Sequence, residues 1–480
     1  GLGGGAAAGA LRGRVPDLAV TIDTTPPPPD ALADRMSHTL PSTIGFHDDL
    51  GLGEEDAVLR AGGAWRLGTL FDGWVDGLPA YVHAYGAYGQ PFGTASFHHH
   101  WARAARAGGA APFDAHAPAA MLARAGRMAA GAAASGILAS VQPGLVLNVG
   151  RYQAMLAAFG RHIGVMLRDA EVAEVRLRGE DGYIDALLLK DGSTLAADLF
   201  VDASGPGGVV RGAIDADWDD WRGWLRCDRL LEAEGPPETL ATLDHVIAEE
   251  AGWRWRTAAP GRTLHGLCYA AAFLTDDDAA ATLAAAGGRI AADPIPFRQG
   301  SRPNPWARNC VAVGDAATVT EPLDFTNLHL AQSAIDRIVS MLPGRDCHPL
   351  ETADYNRQAQ AEVMRIRDFT LCHYATARRA GAFWHVPEPV PDSLARTLAL
   401  FAERGRLPFF EEETFARDDW LAILLGQGVL PRRIDPLIDT SPAAESDRAM
   451  AAYRAAIVQA VRACPTAEDY HATLTGQLAR

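Results

Sequence analysis

At 480 residues the chain exceeds one ordinary domain, which predicts a large core with an attached lobe. Hydrophobic residues at 48% and charged residues at 21% fit a globular protein, and a net charge of −16 argues against nucleic-acid binding, which needs clustered Lys and Arg. No apolar run approaches the roughly 20 residues needed to span a bilayer, and no basic stretch precedes an apolar one as in a secretory leader. No membrane partner and a cytoplasmic location are therefore expected. Six scattered cysteines without a CxxC pair suit a reducing compartment and predict neither zinc nor a disulfide framework.

The chain opens on Gly1-Leu2-Gly3-Gly4-Gly5-Ala6-Ala7-Ala8-Gly9, read as a glycine-rich turn. The buried strand that ordinarily precedes such a turn is missing, which points to an upstream or truncated start. Leu18–Asp23 reads as a short strand ending in an acid, and Pro26–Pro29 as a stiff connector. Ala111–Ala139, rich in Ala and Gly, reads as helix or loop. Val172–Leu177, Ile184–Leu189 and Leu195–Val201 are strand patterns, with Asp181-Gly182 and Asp191-Gly192 as hairpin turns. Asn309–Gly314 is another buried-strand candidate. Helical periodicity at Tyr355–Tyr374, Asp392–Glu403 and Asp447–Ala463 predicts a helical lobe. The expected division is a cofactor-binding core with an interleaved substrate region over 1–345, and the lobe over 346–480.

Three separated elements carry a cofactor reading. In Gly3-x-Gly5 the missing side chains let backbone approach a pyrophosphate at a helix start, with Ala8 where a third glycine is usual. Asp23 lies 20 residues beyond Gly3, the spacing of an acid that accepts bonds from ribose hydroxyls. The second element, Asp198 to Gly205, is a strand ending in a turn. The third, Val311-Ala312-Val313-Gly314-Asp315-Ala316-Ala317, is a strand, a Gly-Asp turn and a small-residue helix start. That turn resembles the one that binds the ribityl chain in FAD-dependent hydroxylase-like folds. Together, in this order, the elements predict FAD bound through Gly3, Gly5, Asp23, Gly205, Gly314, Asp315 and Ala316.

Further stretches resemble the flavin-dependent (tryptophan) halogenases over most of the chain. Phe46-His47 with Leu50-Gly51-Leu52, and Ala64-Trp65-Arg66-Leu67-Gly68 to Phe71-Asp72-Gly73-Trp74, are similar to the segment carrying that family's catalytic lysine. Tyr81-Val82-His83, Phe97-His98-His99-His100-Trp101, Leu225 to Arg229 and Gly252-Trp253-Arg254-Trp255 follow in family order. Glu321-Pro322-Leu323-Asp324-Phe325-Thr326-Asn327 is similar to the halide-site loop. Tyr355-Asn356-Arg357, Arg367-Asp368-Phe369, His373-Tyr374 and Phe383-Trp384 match the helical region. The resemblance implies an α/β fold of the FAD-binding hydroxylase/halogenase type, with a mixed sheet and a helical C-terminal lobe. It also implies reduced FAD from a separate flavin reductase, oxygen, and chloride or bromide, together giving hypohalous acid for a small aromatic or indole-like substrate. A lysine would position that acid while a glutamate assists.

The working positions depart from the family pattern. Arg66 stands at the lysine position; it can donate hydrogen bonds but cannot readily act as a neutral amine. Asp324 replaces the glutamate and shortens its reach by roughly 1.5 Å, one carbon–carbon bond. Phe325 replaces a serine, Met36 to Pro41 stand at a Gly-Glu-Ala-Thr motif, and Thr257-Ala258 stand at an Ile-Pro. Thr326 and Asn327 retain backbone N–H groups for a halide, and Asn327 tolerates the left-handed conformation of a glycine there. Phe325, Trp253 and Trp255 are assigned to the substrate pocket.

Plainer readings stand beside these. Trp253 and Trp255 share a face on a strand and pack as a pair; His98–His100 on a strand alternate faces and predict no metal. Arg66 is equally compatible with a surface or a phosphate contact, and Asp324 with a helix N-terminus. Glu411–Glu413 reads as a solvated helix face. Two other functions stay open: an FAD-dependent monooxygenase, for which Asp315 speaks, and a degenerate, non-catalytic family member.

Overall fold

The computed structural model describes residues 1–131, 134–386 and 389–478, so two positions of the Ala111–Ala139 stretch lie outside the described residues. The chain divides into two compact units, residues 1–63, 145–228 and 295–365, and residues 64–144, 229–294 and 366–480. Among the described residues no helix is long and apolar enough to cross a membrane.

In the first unit, Phe200–Asp202 runs parallel to Cys310–Ala312, and Thr21–Asp23 runs parallel to Met166–Arg168. Parallel pairs need long crossover connections, as these separations in sequence provide. Val172–Leu177, Ile184–Leu189 and Thr194–Leu195 form the expected antiparallel hairpins, with Gly182 and Gly192 at positive φ in the turns. The core gathers Leu11, Trp306, Val311, Val313, Ile338 and Tyr355.

The opening glycines are not a turn: Leu2–Arg14 is one helix. A Cβ at Gly5 would stand 3.4 Å from the Leu156 Cβ, and one at Gly9 would stand 3.3 Å from Phe159. These two glycines therefore let the helix approach Val149–His162 closely. Alanine-rich sequence propagates helix readily, and tertiary packing outweighs the cost of glycine, about 1 kcal/mol per residue.

The second unit is built on a mixed sheet in the order Arg289–Ile290, Arg229–Gly235, Arg262–Tyr269, Gly252–Ala259, Leu243–Glu249, Gly68–Asp72, Tyr81–Ala84. Along this order the pairings are antiparallel except that of Leu243–Glu249 with Gly68–Asp72. The region after Arg345 is mainly helical, with Pro349–Ala375, Asp392–Arg404, Arg417–Gly426, Ala443–Ala463 and Ala467–Leu478. The His98–His100 run lies on the helix Phe97–Arg106, not on a strand. There His98 Nε2 meets the Gly405 carbonyl at 2.8 Å and His100 Nδ1 meets Ser446 Oγ at 2.9 Å. His98 and His100 are thus held in the packed interior. Glu411–Glu413 falls in irregular chain between two helices rather than on a helix.

Trp255 lies directly opposite Gly266 in the sheet, and a Cβ at Gly266 would fall 1.9 Å from the indole ring. Gly266→Ala is expected to displace Trp255 and cost about 1–3 kcal/mol, the range of overpacked cores. Urea denaturation with near-UV circular dichroism reads both effects; an unchanged midpoint and spectrum would mean the ring has room to spare.

Candidate active site

The cofactor elements of the first unit converge on one short segment, residues 28–35. Gly205 has φ of +85°, and a Cβ there would stand 2.8 Å from the Pro28 side chain, so only glycine fits. The turn that holds it is organised by buried Asp202. Its Oδ1 accepts from the Ser204 amide at 3.0 Å, and its Oδ2 from the Val210 and Arg211 amides at 2.9 and 2.7 Å. Gly314, at φ of +58°, opens the turn that buries Asp315.

Asp315 Oδ2 accepts from the Ala33 amide at 2.8 Å, while Oδ1 is buried without a partner. Burial pushes this carboxyl up to about 8; the Ala33 amide opposes the rise, and Asp34 and Asp30 add to it. Asp34, next in the chain, accepts from the amides of Leu2 and Gly3, the latter at 3.4 Å. The start of the helix Leu2–Arg14 thus receives a carboxylate, as its dipole favours. Gly3 also lies beside Ala203, its Cβ position 3.7 Å from the alanine methyl. Gly3, Gly205, Gly314 and Asp315 are thus brought together.

Gly5 and Asp23 stand apart from that group. Gly5 faces Leu156, and Asp23 Oδ1 is used by Thr25, at 3.0 Å from its amide and 2.9 Å from its hydroxyl. Ala316 is buried and its carbonyl accepts from Arg302 Nε at 2.9 Å.

The loop ahead of the helix Asn327–Ser340 carries the expected halide residues. Asp324, Phe325, Thr326 and Asn327 are all buried. Thr326 is the N-cap but contributes no side-chain cap, and the first turn holds no acid. Asn327 Nδ2 donates to the Thr320 carbonyl at 2.9 Å, while its Oδ1 is buried without a partner. The left-handed residue is Phe325, at φ of +55°, and not Asn327, which is already helical. Nor does Asp324 start the helix, which begins three residues later. A buried phenylalanine in that conformation stores strain that its neighbours must hold. His38 stacks on it with ring centroids 3.8 Å apart and 14° between planes.

In the second unit Arg66 is not a surface group, being 1% exposed. Its Nε donates to Asp244 Oδ2 at 2.6 Å, its Nη2 pairs with the same carboxylate, and Nη2 also reaches Thr69 Oγ1 at 3.2 Å. The guanidinium lies over the Tyr85 ring, 5.1 Å from its centroid. Burial works against the charge, but Asp244 and Tyr85 outweigh it and hold the arginine pKa above its ordinary value. Thr257 Oγ1 donates to Asp244 Oδ1 at 2.6 Å. Two departures from the family pattern, Arg66 and Thr257, therefore serve one carboxylate. Sequence reading missed Asp244, which stands 178 residues from Arg66 with no motif around it. Trp253 and Trp255 are buried on one face of their strand, with centroids 5.6 Å apart.

An oxyanion-binding helix start beside a buried acid at a Gly-Asp turn is the arrangement of α/β proteins that hold a dinucleotide-type cofactor, and the first unit falls in that class. The family model for tryptophan halogenase matches residues 37–443, and the chain belongs to the flavin-dependent tryptophan halogenase family. Tryptophan 6-halogenase SttH of Streptomyces toxytricini is 30% identical over 344 residues, 66% of this chain and 64% of that protein. Tryptophan 7-halogenase RebH of Lentzea aerocolonigenes is 26% identical over 312 residues, 59% of this chain and 58% of that protein. The match thus spans less than two thirds of the length of these curated relatives. Among solved structures, BrvH, a flavin-dependent halogenase from Brevundimonas sp. BAL3, superposes with a TM-score of 0.91 at 33% identity, covering 99% of this chain and 97% of that one. Xcc4156, a flavin-dependent halogenase from Xanthomonas campestris, gives 0.91 at 29% identity, covering 98% and 96%.

Two outcomes follow. Asp244→Ala strands a buried guanidinium and is expected to cost about 3–5 kcal/mol, whereas Arg66→Met with Asp244→Leu costs much less. Urea denaturation of the two variants checks this, and equal losses would show that the pair is not what matters. Asp315, with its pKa raised from 3.8 to about 8, binds its proton more tightly folded than unfolded. Its contribution to stability is therefore fully present below the unfolded pKa and is lost as pH rises through that window. In the cofactor-free protein Asp315→Asn should flatten the fall in stability between those values; an unaltered pH profile would show that Asp315 ionises freely.

Proposed function

We propose that this chain is a flavin-dependent halogenase acting on a small aromatic, indole-like substrate with FAD, chloride or bromide, and a separate flavin reductase. The observation that carries the reading is the buried start of the helix Asn327–Ser340, which has no side-chain cap and no acid in its first turn, so that its amides offer an anion site. Residues of the first unit fit FAD. The amides of Leu2 and Gly3 would exchange Asp34 for a phosphate oxygen, and Asp315 Oδ1 would meet a ribityl hydroxyl. Gly205, Gly314 and Ala316 leave room for close approach, and Asp23 would serve the ribose. Reduced FAD, held by these residues, would supply the two electrons that bring oxygen to the peroxide level, the oxidant that converts halide to hypohalous acid.

The chain's own residues then divide the work. Thr326 and Asn327 hold the halide through backbone N–H groups. Asp324 offers a carboxylate to the positive charge that develops on the ring under attack. Trp253 and Trp255 supply apolar and aromatic surface for the substrate. Arg66 enters as a fixed donor: paired with Asp244, it cannot act as a neutral amine. Six scattered cysteines without a CxxC pair support a cytoplasmic setting.

FAD titration of the purified chain, followed by a reductase-coupled assay on an indole panel, tests the proposal. Saturable binding and halide-dependent product mass are expected. Arg66→Lys with Asp324→Glu should raise turnover by less than about tenfold, because a lysine at 66 stays paired with Asp244. Product that gains oxygen without halide dependence would instead establish a monooxygenase, the second reading, which the Asp315 turn favours.

A further inference from the structure

Phe325 is a fully buried, non-glycine residue at φ of +55°, immediately before the two residues whose amides are proposed to hold the halide. Such a residue returns to a right-handed or extended conformation unless contacts forbid it. A contact that opposes this return is His38, stacked face to face on the phenyl ring. His38 is itself held. Leu147 donates to the Ser37 carbonyl at 2.7 Å, Thr39 donates to the Leu145 carbonyl at 2.8 Å, and the Leu145 amide donates to Thr39 Oγ1 at 2.9 Å. Ser37 Oγ lies 3.2 Å from the imidazole Nδ1.

The same segment grips the helix beyond the loop. Ser42 Oγ meets His329 Nδ1 at 2.8 Å, and Thr43 Oγ1 donates to Gln332 Oε1 at 2.8 Å. Residues 38, 42 and 43 therefore address positions 325, 329 and 332, and only the first contact acts on the turn that aims the amides.

We infer that His38 and Phe325 are a positioning pair for the halide: their stack holds the left-handed turn that presents the Thr326 and Asn327 amides to one anion. The inference rests on the proposed halide role of that loop. It assigns His38 a part through Phe325 and no contact with the reacting atoms.

Chloride NMR line broadening, with and without FAD, reads halide binding in the absence of turnover. His38→Ala is expected to weaken chloride binding about tenfold, an easily resolved change in Kd. Adding Phe325→Gly to His38→Ala should restore affinity to within about threefold of wild type, since glycine takes the left-handed turn without a stack. His38→Phe, which keeps a stacking ring, should retain affinity and keeps the test open where the glycine variant does not fold. Thr43→Ala, which acts on Gln332 in the second turn of the helix, should lower thermal stability with chloride affinity unchanged.

Unaltered binding in His38→Ala, or a loss that neither Phe325→Gly nor His38→Phe reverses, overturns the inference. So does a wild-type chain that binds no chloride. Normal chloride binding and the expected variant pattern, without halogenation, would support the pair while removing the proposed activity.

Discussion

A guanidinium and a carboxylate brought together in a protein interior each surrender several kcal/mol of hydration, and they persist only where their remaining valences are filled. Arg66 and Asp244 meet that condition through Thr69, Thr257 and the face of Tyr85. The partners come from different strands, Ala64–Arg66, Gly68–Asp72, Leu243–Glu249 and Gly252–Ala259. The pair thus fastens the second unit from within. The strand with Thr257 also carries Trp253 and Trp255, so the lock and the aromatic surface are parts of one construction. A lysine could fill one hydrogen-bonding site on Asp244, but it lacks the planar fork that engages Asp244 and Thr69 together.

The first unit solves a different electrostatic problem. Its glycine turns and its first helix all close on residues 28–35, where two acids, Asp34 and Asp315, lie near each other. One acid is satisfied by helix amides and the other is raised toward neutrality by burial. Amides that hold an oxyanion, and a carboxyl raised toward neutrality with a spare oxygen, are what a phosphate and a hydroxyl chain require of a protein surface. The strain at Phe325 belongs to the same logic, because backbone held in an unfavourable conformation is retained where its direction matters.

Much of this was written locally. The hairpins at Asp181-Gly182 and Asp191-Gly192, the strand before Gly314 and the C-terminal helices follow from turn chemistry and periodicity, which act over a few residues. The family, and with it the α/β class, was legible because short stretches recur in order along the chain. The opening glycines misled, since close packing against Leu156 and Phe159 selects glycine as strongly as a phosphate turn does. His98–His100 misled in the same way: alternation and helix cannot be told apart over three residues.

The sequence by itself determined the family, the strand and helix patterns, and which positions depart from the family at the working residues. Tertiary structure alone decided what those departures mean. That Arg66 and Thr257 share Asp244, that Phe325 leans on His38, and that Asp34 sits on the first helix are contacts between residues far apart in the chain. Their strength comes from burial, which removes competing water and makes each partner indispensable, and burial is a property of the folded chain that no local run of residues records.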